Sequence, residues 1–191
     1  MMSKRASQVI ILCEDKQHEV FVTRFLKKTC GYAIRDFRVP PYPAKGSGGS
    51  GEQFVRERYP KEIKAYRQRS SKSKTVLIVV IDADATSVPD RVAQLNKSCD
   101  DQEVGHREDG ELIVHVIPKR NIGTWMAWLD RQAVNEEDDY PRYKFSKRES
   151  DMASHINDLV SICSENQLPN DTPDSLRKTC RDFNSFKARL P

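Results

Sequence analysis

The chain has 191 residues, with 32 Lys and Arg against 28 Asp and Glu, for a net charge of +4. That length carries one well-cored domain more readily than two, and the mildly basic balance permits a polyanionic partner without demanding one. The five cysteines are widely spaced with no C-x-x-C pair, so neither a zinc site nor a disulfide framework is indicated. Residues 1–8 lack the apolar core of a secretory signal, and no apolar run approaches the roughly 18 residues that span a bilayer. The expectation is a reduced, cytoplasmic protein without membrane contact.

Residues 8–13 (QVIILC) form a short run rich in β-branched side chains, which predicts a first buried strand ending at Glu14. From Asp15 the apolar residues take helical spacing, with Val20, Phe21, Phe25 and Leu26 on one face, until Gly31 offers a stop. A weaker second strand is expected over residues 33–39, ended by PPYP. The segment that follows, AKGSGGSGEQFVRER, admits two readings. It could be a flexible connector, or a glycine-rich turn whose backbone N–H groups bind phosphate at a helix N-terminus, with Lys45 and Arg56 adding charge. It lacks the Gly-Lys-Ser/Thr ending of a nucleotide-hydrolysing P-loop.

Residues 52–69 read as a helix with a break at Pro60, and residues 61–74 are basic, as a solvated face would also be. The third strand is expected at 75–81 and runs directly into Asp82-Ala83-Asp84. Helices are expected at 90–98, 121–135, 151–163 and 175–188, with a fourth strand at 111–117 interrupted by His115 and followed by Pro118-Lys119-Arg120-Asn121. Residues 135–140 are acidic. Trp125 and Trp128, three apart on a helix, fit packing better than base stacking. The four histidines are scattered and give no catalytic pattern.

Apolar strands alternating with helices predict an α/β fold with a largely parallel sheet flanked by helices, and ligand sites on such sheets lie beyond the carboxyl ends of the strands. Glu14, Asp82 and Asp84 occupy such positions. Close carboxylates repel one another and resist desolvation, so a positive partner is expected. Hard oxygen donors in this pattern suit Mg²⁺ or Mn²⁺. The alternatives are structural: Asp82 could cap the next helix and Asp84 hold its turn, Glu14 could answer a helix dipole beside the equally acidic Asp15 and Glu19, and Lys119 and Arg120 could be a solvated pair.

A glutamate after the first strand with Asp-x-Asp after a later one, carried by VIILCED (9–15) and VLIVVIDADAT (76–86), resembles the Toprim domain of topoisomerases, bacterial primases, RecR-type repair proteins and overcoming-lysogenisation-defect nucleases. The chain also looks like small Toprim proteins found beside ABC-type ATPases in bacterial anti-phage systems. The resemblance implies a Toprim (Rossmann-like) domain over residues 1–135 and a helical C-terminal extension over 136–191 packed on it. It further implies a metal-dependent nuclease acting on DNA or RNA, transfer RNA included, and controlled by an ATPase partner. It is compatible with a homo-oligomer. Within that family Glu14 would be metal ligand or general base, Asp82 and Asp84 would bind Mg²⁺ or Mn²⁺, and Lys119 would lie near the scissile phosphate, with Arg120 beside it. One position departs from the pattern: Gly123 stands where such proteins often carry a further acidic residue. A Toprim fold that only binds nucleic acid, or serves an ATPase as a regulatory subunit, is the alternative.

Overall fold

The computed structural model describes residues 8–43, 49–137, 153–164 and 168–190. Its centre is a pair of unbroken apolar runs, β1 (Gln8–Cys13) and β3 (Thr75–Val80), which pair in parallel with Gln8 opposite Thr75 and Cys13 opposite Val80. A short β2 (Phe37–Arg38) joins the other side of β1, and β4 (Ile113–Val116) the other side of β3. The sheet therefore has four parallel strands in the order β2-β1-β3-β4. Continuous apolar sequence is what strands covered on both faces require.

Side-chain alternation sends Val9, Ile11, Val76 and Ile78 to one face and Ile10, Leu12, Leu77 and Val79 to the other. The first face is covered by α1 (Lys16–Cys30), α4 (Ile122–Leu129), α5 (Ala153–Ser164) and α6 (Asp174–Arg189), through residues such as Phe25, Trp125, Leu159 and Phe186. The second is covered by α2 (Gly51–Ser70) and α3 (Val88–Asp100), through Val55, Tyr59, Ile63 and Leu95. The result is a three-layer α/β architecture of Rossmann-like form. No helix among the described residues is long and apolar enough to cross a membrane.

Local chemistry sets the helix ends. Asp15 caps α1 by accepting from the Gln17 and His18 N–H groups, and Gly31 closes it at φ 66°, a left-handed conformation that glycine adopts without a Cβ penalty. Ser50 caps α2, and Ser87 caps α3 in a reciprocal pairing with Asp90.

The structure departs from the sequence expectations at four places. Residues 33–39 form a 3-10 turn (Ile34–Asp36) and only two strand residues, because just Phe37 and Arg38 find partners on β1. Helix α2 continues through Pro60, which is buried. Helix α4 stops at Leu129, where the chain becomes polar and exposed and Arg131 takes φ 64°. Finally, Cys163 and Cys180 form a disulfide that joins α5 to α6 across a Cα separation of 5.1 Å, in place of the free thiols expected there; Cys13, Cys30 and Cys99 remain free.

His115, which interrupts β4, points into the second core. Its Nε2 lies 2.7 Å from the Tyr59 hydroxyl, with the two rings edge to face. Burial, helped by the Arg107 and Lys178 charges, pushes the imidazole down to about 3, so it is neutral at ordinary pH. Trp125 and Trp128 are likewise packed in the core, their indole N–H groups donating to Ser175 Oγ and Asp171 Oδ2.

Candidate active site

The chain leaves β1 toward β2 on one side and later runs from β3 to β4 on the other, so the direction of winding reverses between β1 and β3. Ligand crevices of open parallel sheets form at such a switch point, beyond the carboxyl ends of the strands. Glu14 follows β1 directly, and Asp82 follows β3 after Ile81. The two strand ends are tied together: the Asp82 backbone N–H donates to Glu14 Oε1 at 2.7 Å. Asp82 is 7% exposed.

Neither carboxylate has the structural role that competes with a functional one. The caps are Asp15 for α1 and Ser87 for α3, so neither Glu14 nor Asp82 caps a helix. Burial raises the Glu14 carboxyl to about 7, nearby His18 opposes that rise, and the Asp82 and Asp84 charges add to it. His18, in the first turn of α1, is 2% exposed and places Nε2 3.1 Å from Asp82 Oδ1. Burial alone would depress this imidazole, but the charge and hydrogen bond of Asp82, with Glu14 and Asp15 behind them, raise it to about 9. The switch point thus brings together a half-buried Glu14 and the buried pair of Asp82 and His18.

Asp84 lies on the turn that the Thr86 N–H closes onto the Ala83 carbonyl at 2.9 Å. It takes φ 52°, the left-handed region that Asp tolerates better than most residues. Its carboxylate is more exposed and faces Arg91 Nη2 at 3.4 Å. Arg91, 4% exposed, also donates to the Ala83 carbonyl, to Gln94 and to Glu52, which in turn pairs with Arg56 within α2. This buried guanidinium fastens the turn after β3 to the start of α2. Glycine is required at that start: a Cβ on Gly51 would come within 2.7 Å of both the Glu14 Cβ and its carbonyl oxygen. The glycine-rich segment therefore ends in direct packing on Glu14, a role that composition alone does not reveal.

Lys119 and Arg120 border the same turn from beyond β4. Lys119 Nζ donates to the Thr86 carbonyl at 3.2 Å and lies 3.6 Å from Glu137, while Arg120 donates to the carbonyls of Asp84 and Glu137. A cavity of about 660 Å³ opens beside Lys119, lined also by Lys178, Arg181, Glu136, Glu137 and Asp174.

Of the residues singled out from sequence, Glu14, Asp82, Asp84, Lys119 and Arg120 come together around residues 82–87. Arg56 is occupied by Glu52, which links it to Arg91 and so to the turn. Lys45 lies outside the described residues. Gly123 is buried in the first turn of α4. Sequence reasoning passed over His18, Arg91 and Glu52; the one local sign was His18 four residues after Glu14, on the first turn of the helix that Asp15 caps.

Hard oxygen donors on adjoining strand ends, with a half-buried carboxyl whose proton affinity is raised by desolvation and by its acidic neighbours, fit a small divalent cation that keeps several of its waters. Among the described residues no three His, Cys, Asp or Glu side chains are drawn together tightly enough to enclose an ion. No family model, no curated protein and no solved structure matches the chain.

Proposed function

We propose that the protein is a divalent-metal-dependent nuclease of the Toprim type, which hydrolyses phosphodiester bonds in DNA or RNA. The observation that carries this reading is the 2.7 Å link between the carboxylate-bearing ends of β1 and β3 at the point where the sheet reverses its winding. Glu14, Asp82 and Asp84 would hold Mg²⁺ or Mn²⁺, which supplies polarisation of the phosphoryl group and neutralisation of the leaving oxygen. Glu14 positions or deprotonates the attacking water. Lys119 leaves the Thr86 carbonyl to meet the charge that grows on the phosphate, and Arg120 anchors the neighbouring backbone. The anti-phage resemblance adds an ABC-type ATPase as the controlling partner.

Incubation of the purified protein with plasmid DNA and with total cellular RNA, in Mg²⁺, Mn²⁺ or EDTA, tests the reading and identifies the polymer. Cleavage that requires metal and disappears in Asp82→Ala is the expected result; cleavage indifferent to both would sink it.

A second reading is favoured by the ion pairs themselves. His18 and Arg91 already neutralise Asp82 and Asp84, and Gly123 supplies no further carboxylate, as suits a non-catalytic domain that binds nucleic acid or regulates an ATPase. Strong salt-dependent nucleic-acid binding without metal, and without cleavage, is its signature.

A further inference from the structure

His18 is enclosed between two carboxylates. On one side Nε2 stands 3.1 Å from Asp82 Oδ1; on the other, Nδ1 has no hydrogen-bond partner and lies 4.0 Å from Asp15 Oδ1. Glu14 precedes His18 by one helical turn and is bound to the Asp82 backbone. Two donors that sit side by side on a first-row divalent ion, each at ~2.1 Å, are about 3.0 Å apart, close to the separation of His18 Nε2 and Asp82 Oδ1. A metal-binding histidine generally turns its second ring nitrogen toward a carboxylate or carbonyl that fixes its orientation. Asp15, itself held in place by the Gln17 and His18 N–H groups, is the carboxylate on that side.

We propose that His18 is a nitrogen ligand of the cation held by Glu14 and Asp82, so that the site takes a first-row transition-metal ion such as Mn²⁺, Co²⁺ or Zn²⁺ in preference to Mg²⁺. The proposal rests on reading the switch point as a metal centre. Oxygen-only sites suit Mg²⁺, whereas an imidazole adds selectivity for the transition ions. The imidazole that now shares its proton with Asp82 would release that proton to solvent on binding the ion, so that Nε2 and the Asp82 carboxylate both become free to hold it.

Pulsed electron paramagnetic resonance of Mn²⁺ bound to the wild-type chain is the deciding experiment, and it depends on no variant folding. A ¹⁴N coupling from a directly bound imidazole is the expected result. Bound Mn²⁺ without that coupling, or no bound Mn²⁺, overturns the proposal. In parallel, His18→Gln should weaken Co²⁺ binding by about 10- to 100-fold while shifting Mg²⁺ affinity by less than about threefold. Were His18 only a counter-charge, its removal would leave both affinities unchanged or tighter. Asp82→Asn separates the two ideas. Metal binding lost there, with no nitrogen coupling in the wild type, keeps the carboxylate site and removes His18 from it; metal binding unaffected by Asp82→Asn removes the site itself.

Discussion

Two buried histidines divide the molecule. His115 lies within the sheet, under α2, with a phenol as its partner, and burial keeps it neutral. His18 lies at the end of the sheet, with Asp82 as its partner and Glu14 and Asp15 close by, and it carries a proton. Both rings are almost fully withdrawn from water, so burial does not separate them. The partner does: a neutral hydroxyl satisfies a neutral imidazole at little electrostatic cost, whereas concentrated carboxylates require positive charge from any source within reach. A core can be built without such a concentration. Its presence at the switch point, where ligands bind on open parallel sheets, is what distinguishes the site from the scaffold.

The largest expected effect lies at the acidic end. Asp82→Asn retains shape and the backbone link to Glu14 but removes a charge, and metal-dependent cleavage should fall by about a thousandfold, roughly 4 kcal/mol of barrier. Initial rates on the preferred polymer, with circular dichroism as a check on folding, measure this. Next is Gly51→Ala, which forces a methyl group against the Glu14 backbone. Overpacking of this kind costs about 1–3 kcal/mol, read by urea denaturation, and should lower cleavage as well because Glu14 must shift.

The third concerns the scaffold histidine. The folded chain holds the His115 pKa near 3 against 6.5 for a free imidazole, so below pH 6.5 the unfolded state takes up a proton that the folded state does not. The His115 contribution is fully present above pH 6.5 and declines as pH falls toward 3. Between pH 6.5 and 5 the loss is about 2 kcal/mol. A His115→Phe variant should lack this component, so the pH profiles of the two proteins should diverge over that interval in denaturant melts. Parallel profiles would mean that the two histidines do not differ as described. The smallest effect is expected for Arg56→Ala. Its ion pair with Glu52 is partly exposed, so stability should change by no more than about 1 kcal/mol, and cleavage should be unaffected.

The comparison also shows what the sequence could and could not reveal. The two central strands were legible because strands covered on both faces must be apolar throughout, and the carboxylates that end them stand out against those runs. Glu14, Asp82 and Asp84 follow from that pattern. His18 does not, because its meaning depends on Asp82, which lies far away in the chain and adjacent only once β1 and β3 pair. Arg91 was hidden for the same reason: on α3 it reads as one more surface cation, but the fold buries it between Glu52 and the Ala83 carbonyl. The Cys163–Cys180 bond depends on how α5 packs on α6, which spacing alone does not encode. Residues 33–39 show the opposite failure. Their composition suits a strand, but strand character comes from pairing, and only two of them pair.

Calorimetric titration of Mn²⁺ into the wild-type protein and into Asp82→Asn, without nucleic acid, tests the central claim most directly. A single saturable binding event in the wild type that is lost in the variant is the result this account predicts. No binding in either protein, or the same isotherm in both, would contradict it and leave the carboxylates of the switch point as a closed ion-paired cluster.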